Sequence, residues 1–250
     1  MRCIRSKLIH LIQYIGERYK IKIIPDKLFL RLLYRHKVGS ILDLEKPRSF
    51  TEKIQWLKLY DHDPKYILMA DKYEVKSFVA NLLGEDISVP TLGLYKIFSE
   101  IPFNVLPQSF VIKCTHNWNS VIICVDKNKF DLRAAQKKID KALKYNHYYK
   151  SLEWAYKYIP PRIIVEPFLS EDGITPPTDY RVYCFNGIPH FIHLTLNKFS
   201  ERKVLFVDTN WNPIPISRQG LSLSNIMLNK PQCLSEMIET AKKFLTIYLS

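Results

Sequence analysis

The sequence predicts an α+β fold with mainly antiparallel sheet, and three observations carry that expectation. Patterns along the chain run helices, hairpin, helix, strand, hairpin, strand, helix. Phe110–Thr115 alternates apolar and polar residues with period two, and a polar turn, His116–Ser120, separates it from a second apolar run, Val121–Val125. Thr178–Asn186 and Ile188–Leu196 read as paired strands joined at Asn186-Gly187, the strongest short hairpin signal in the chain. With 250 residues the chain suffices for one large domain or two small ones, and 47% hydrophobic content with 15 Tyr, 13 Phe and 4 Trp excludes a disordered chain.

The first 40 residues form a basic arm, with ten Lys/Arg against Glu17 and Asp26, so they hold +8 of the total +13. Ile4, Leu8, Leu11, Ile12 and Ile15 recur there at helical spacing beside the cations, the pattern of an interfacial amphipathic helix seated on an anionic membrane surface through residues 1–37. An ordinary helix docked on the domain fits the same spacing. Charges interrupt every apolar run well short of the about 18 residues a span needs, and no small-residue cleavage site follows. Nucleic acid is not an expected partner, because no zinc spacing or aromatic-interleaved basic motif is present.

Pro25–Lys37 reads as a second helix, with proline at its start and Gly39 past its end. Ser49 and Glu52 form a capping-box pattern for a third, whose stripe is Phe50, Ile54 and Leu57 with Trp56 beside it. The next helix opens at Asp71 with Glu74 as capping partner, buries Val75, Phe78, Val79 and Leu82, and closes at Gly84. Its first turn holds Lys72, where a cation opposes the helix dipole unless an anion is near. Ile87–Pro107 reads as a loop, Asp131 caps a helix built on Leu132, Ala135, Ile139 and Leu143, and the aromatics of Tyr145–Tyr158 read as packing. Arg162–Leu169 and Lys203–Asp208 are strands, and Leu234–Tyr248 is a last amphipathic helix. The five cysteines are odd in number, widely spaced and free of ligand motifs, which reads as buried thiols in a reducing compartment.

Three charges, Lys113, Glu166 and Arg181, sit in separate apolar strands. An unpaired buried charge is costly, so together they point to a cleft with cations for phosphate and a carboxylate for a hydroxyl or amino group. Seven glycines in the whole chain count mildly against a glycine-rich phosphate loop.

Four ordered blocks, PRSFTEKIQWLKLYDHDPKYILMADKYEVKSFV, FVIKCTH…VIICVDKNKFD, RIIVEPFL and DYRVYCFNGIPHFI, closely resemble the TupA-like ATP-grasp family of bacterial cell-surface polysaccharide and teichuronopeptide synthesis, whose members are often labelled glycosyltransferases. The resemblance runs from about Pro25 onward. It implies an ATP-grasp-like fold of two α+β lobes: the arm at 1–40, then a domain at 41–250 with a first lobe to about 160 and an incomplete second lobe beyond. It implies that Lys72 and Lys113 contact ATP phosphates, that Glu166 lies at the adenine–ribose segment and that Arg181 faces the phosphates. His116, which ends FVIKCTH, is counted with the nucleotide-binding residues.

Two departures stand out. Family members carry glycines in the turn after the strand lysine, where this chain has His116-Asn117-Trp118-Asn119-Ser120. The family also continues into RVDLY-like and GELTF-like segments whose Asp and Glu hold Mg²⁺, and the C-terminal part here is expected to be truncated before them, with Asp208 the only substitute. ATP and Mg²⁺ are the implied cofactors, the ligands of the metal not being found. Three functions follow: a carboxylate–amine ligase working through an acyl phosphate, a glycosyltransferase, or a catalytically impaired nucleotide-binding relative. No DxD-like pair holds a nucleotide-sugar metal, which ranks the second lower. The implied acceptor is a polysaccharide or lipid-linked sugar, and the implied location is the cytoplasm, peripheral at the inner face of the membrane.

Overall fold

The computed structural model describes residues 2–118, 120–170, 172–196, 203–216 and 229–249, with side chains described from 7 to 246. The chain divides into two compact units, Met1–Phe78 with Val89–Pro167, and Val79–Ser88 with Phe168–Ser250.

The first unit opens with α1 (Arg2–Tyr19) and α2 (Asp26–Lys37). Pro25 precedes α2, and Gly39 past its end has φ +88°, a left-handed conformation that costs glycine nothing. These two helices enclose a core of Ile9, Phe29, Leu30, Leu33 and Leu42 with Tyr148 and Leu152. The helix α3 (Phe50–Tyr60) starts at the expected capping box: Ser49 Oγ accepts from the Glu52 amide at 3.2 Å, and Glu52 Oε2 accepts from the Ser49 amide at 2.9 Å. Its expected apolar stripe is not buried, however. Phe50 is 75% exposed, Leu57 and Trp56 lie open, and no residue of α3 is buried. Periodicity reports that a helix has an apolar face, not that another element arrives to cover it.

Next come α4 (Lys65–Ala70), too short to show a period in sequence, and α5 (Glu74–Leu83). The helix α5 begins three residues later than Asp71, so Lys72 lies in the turn before it rather than in its first turn. The segment read as a loop contains a three-residue strand, β1 (Gly93–Tyr95). The central hairpin forms from β2 (Phe110–Cys114) and β3 (Ile122–Cys124), with Phe110 opposite Cys124. Asp131 caps α6 (Leu132–Leu143), its carboxylate accepting from the Ala134 amide at 2.9 Å. After α7 (Tyr148–Ser151) comes β4 (Ile163–Pro167), which inserts between β1 and β2 to give an antiparallel sheet of order β1-β4-β2-β3. The alternation holds on β2: Phe110, Ile112 and Cys114 are fully buried against Ile139, Ala135, Ile163 and Val165, while Val111 and Lys113 take the other face.

In the second unit β5 (Asp179–Phe185), β6 (Ile188–Leu196) and β7 (Lys203–Asp208) form a three-stranded antiparallel sheet in that order. Asn186 (φ +50°) and Gly187 (φ +78°) turn the hairpin with both residues left-handed, the geometry that Asn-Gly favours. The last helix, α8 (Leu234–Leu249), places Leu234 among Ile192, Leu194, Leu205 and Val207. The fold is thus α+β, with every strand pairing among the described residues antiparallel. The described thiols are free. Cys114 and Cys124 are buried as expected, but Cys184 is half-buried and Cys233 is exposed.

Candidate functional site

Strand pairing in the first unit explains why two charges from distant parts of the sequence meet. Val111 lies opposite Glu166 and Lys113 opposite Ile164, so Lys113 and Glu166 are diagonal neighbours on one face of the β2–β4 pair. Long side chains reach across that diagonal. The Lys113 ammonium pairs with Glu166 Oε2, and Lys76, from α5, pairs with Glu166 Oε1 at 2.6 Å. The carboxylate is almost completely enclosed, with 6% of its side chain exposed, and the lysines are largely covered. Lys76 also donates to the Val89 carbonyl at 2.6 Å and to Thr91 Oγ1 at 2.9 Å.

A second charged cluster fixes the turn that carries Lys72. Arg162, just before β4, donates through Nη2 to Asp71 Oδ2 at 2.7 Å and to Glu74 Oε1 at 2.9 Å. Asp71 is buried, and its other oxygen accepts from the Tyr73 amide at 2.9 Å. The Lys72 amide bonds the Thr115 carbonyl at 3.2 Å, and the Thr115 amide bonds the Arg162 carbonyl at 2.9 Å, so the turn is stitched to the end of β2. The Lys72 side chain then folds over the residues after β2, donating to the Asn117 carbonyl. Burial lowers its pKa to about 8, and the nearby charge of Lys113 pushes the same way.

The turn after β2 is built by side chains where glycines were expected. Ser120 Oγ accepts from the Cys114 amide at 2.8 Å, and Asn117 Nδ2 donates to the Ala142 carbonyl at 3.1 Å. His116 Nε2 donates to the Tyr145 carbonyl at 3.0 Å, leaving Nδ1 buried without a hydrogen-bond partner, and burial lowers its pKa. Trp118 points outward, 57% exposed, with its indole N–H toward the His147 ring.

Of the residues anticipated from sequence, Lys72, Lys113, Glu166 and His116 all lie in the first unit around the β2–β4 pair and the turn that follows β2. Arg181 belongs to the second unit, on β5, where it donates to Asp179 at 2.9 Å and shares a face with its register partner His193. Lys76, Asp71 and Arg162 were not anticipated as part of the site. Lys76 follows Lys72 by four residues, and Arg162 opens the RIIVEPFL block, so both had a sequence signal.

The charges gathered here are Lys72, Lys76, Lys113 and Arg162 against Asp71, Glu74 and Glu166, an excess of one cation that favours an anionic ligand. The donor set for a metal is different. Among the described residues no group of three or more His, Cys, Asp and Glu could hold an ion. Asp208 is committed to its own turn, accepting from the Asn210 and Asn212 amides at 2.9 and 2.8 Å and from Asn212 Nδ2 at 2.8 Å. It does not fit the role of a substitute Mg²⁺ ligand.

This arrangement, a strand lysine joined by a helix lysine and a turn lysine on an antiparallel α+β frame, is consistent with the ATP-grasp class. A family model described as TupA-like ATPgrasp matches residues 52–246, most of the chain, and the protein belongs to that family. No curated protein and no solved structure matches it.

Proposed function

We propose that the lysines around β2 and β4 hold the phosphates of ATP and that the protein is an ATP-dependent carboxylate–amine ligase of bacterial cell-surface polysaccharide synthesis. The observation that carries this reading is the pairing of two lysines with the single carboxylate of Glu166, with a third lysine, Lys72, beside them and partly desolvated. Family membership supports ATP use; the ligase chemistry, the polysaccharide acceptor and a cytoplasmic location rest on the resemblance. Bound ATP supplies a phosphoryl group that activates a carboxylate toward an amine.

The residues of this chain do the rest. Lys113 and Lys72 neutralise phosphate charge in a partly covered site, where an ion pair is stronger than in bulk solvent. Glu166 holds Lys113 and Lys76 in place before nucleotide arrives, so less ordering is left for binding to do. Asp71 and Arg162 position the turn bearing Lys72.

Calorimetric titration with a non-hydrolysable ATP analogue tests the reading. Lys113→Ala should weaken binding by about 1.5–3 kcal/mol, the range for a hydrogen bond to a charged group. An unchanged affinity overturns the assignment of Lys113. Phosphate release from ATP with Mg²⁺ over a panel of amines and uronic acids then separates the ligase from a second reading, a nucleotide-binding protein without turnover.

A further inference from the structure

The docking of α1 determines what its opposite side presents. Ile9, Gln13 and Gly16 are buried and Ile12 is partly so, with Gln13 Nε2 donating to the Lys150 carbonyl at 2.8 Å. These four share one face of a helix of about 3.6 residues per turn, and Lys7, Leu11, Tyr14 and Arg18 lie diametrically across from them. Leu8, Leu11, Tyr14 and Tyr19 are 51%, 52%, 62% and 64% exposed. The apolar surface of the helix therefore runs on past the side packed on the core, through Leu8 to Leu11, and that open part is interleaved with cations. The chain continues the same composition past α1, with Lys20 exposed and Ile21 and Ile23 51% and 43% exposed.

Both carboxylates of residues 7–40 are engaged elsewhere. Glu17 accepts from the Tyr145 hydroxyl at 3.0 Å, and Asp26 pairs with Lys22 at 2.6 Å. The open face is thus cationic as well as apolar. An acidic protein or nucleic acid would answer the charge and leave the leucines in water, and a second copy packed through the same face would oppose cation to cation. A bilayer surface answers both. Leucine enters the boundary between headgroups and acyl chains, tyrosine sits at headgroup level, and Lys and Arg meet anionic lipid. No helix among the described residues is long and apolar enough to cross a membrane, so the contact is one of lying on the surface.

We propose that the outward face of α1, centred on Leu8, Leu11, Tyr14, Lys7 and Arg18, is a docking surface for an anionic lipid bilayer. The family match begins at residue 52, so this surface lies outside the segment shared with the family. It stands or falls independently of nucleotide binding.

The test is co-sedimentation of the full chain with vesicles of phosphatidylcholine alone or mixed with phosphatidylglycerol. Binding is expected to the mixed vesicles, weak to the neutral ones and lost at high salt. Lys7→Ala with Arg18→Ala should lower affinity roughly thirtyfold, given about a fivefold factor per cation near an anionic surface. Leu8→Ser with Leu11→Ser should lower it roughly tenfold or more through lost apolar burial. All four side chains face solvent, and an unchanged circular dichroism spectrum checks that the variants fold. Equal binding to neutral vesicles, no binding, or binding indifferent to both double variants overturns the proposal. So does a lipid-free dimer dissolved by Leu8→Ser/Leu11→Ser, which would assign this face to a second copy.

Discussion

At Lys72 two costs meet: the ammonium is partly removed from water, and it stands near a second cation. The folded-state pKa of about 8 lies below the ordinary 10.5, so the unfolded chain binds more protons between those values. The penalty for burying the charge is present in full below pH 8, and stability is regained as pH rises from about 8 to 10.5. Nucleotide binding should show the opposite slope. A phosphate favours the protonated amine, so affinity for an ATP analogue should fall between neutral pH and about 9.5. Lys72→Arg should flatten that fall, because a guanidinium stays charged throughout. A wild-type affinity constant over this range removes Lys72 from the phosphate site. Lys113 was legible because it interrupts an apolar strand. Its partnership with Glu166 and Lys76 was not, since the pairing of β2 with β4 joins residues 53 positions apart through a register that the sequence does not state.

At the scale of elements, local chemistry placed boundaries well where a cap or turn specified them. Ser49 and Glu52, Asp131, Asn186-Gly187 and Pro25 each act through bonds or dihedrals within a few residues, and each marks the end of an element in the structure. The helix α3 tests how much such a cap is worth. With no buried residue it leans on its cap more than a core helix does. Ser49→Ala should destabilise the protein by about 1 kcal/mol in chemical denaturation, within the range measured for lost N-caps. A change indistinguishable from zero would show that tertiary contacts hold the start of α3 without it. The short elements α4 and β1 escaped the sequence because three to six residues carry too little period to read. On α1 the spacing named Ile4, Leu8, Leu11, Ile12 and Ile15 as one apolar face, whereas the fold buries Ile9, Gln13 and Gly16 and covers Ile12 only in part. Which part of a wide apolar arc is covered is not decided until a neighbour packs against it.

For the whole molecule, the sheet containing β2 and β4 and the sheet of β5–β7 have separate cores within separate units. Ile163 and Leu194 are both fully buried, one in each. Replacing either with alanine should cost about 2–5 kcal/mol of stability. In a calorimetric melt Ile163→Ala should displace the transition of the first unit and Leu194→Ala that of the second. A single transition moved alike by both would show that the units unfold as one.

By itself the sequence determined the α+β class, the two long hairpins, the capped helices and the suspicion attached to Lys113, because these depend on periods of two and 3.6 and on bonds between near neighbours. The family resemblance was legible from four short blocks and is met by the match over residues 52–246. Tertiary structure alone decided that β4 lies beside β2, that Glu166 serves two lysines, that Arg162 secures the Lys72 turn and that α1 turns Leu8 and Leu11 outward. Each of these is a contact between distant segments, set by how buried surfaces and buried charges find partners across the whole fold rather than by any local pattern.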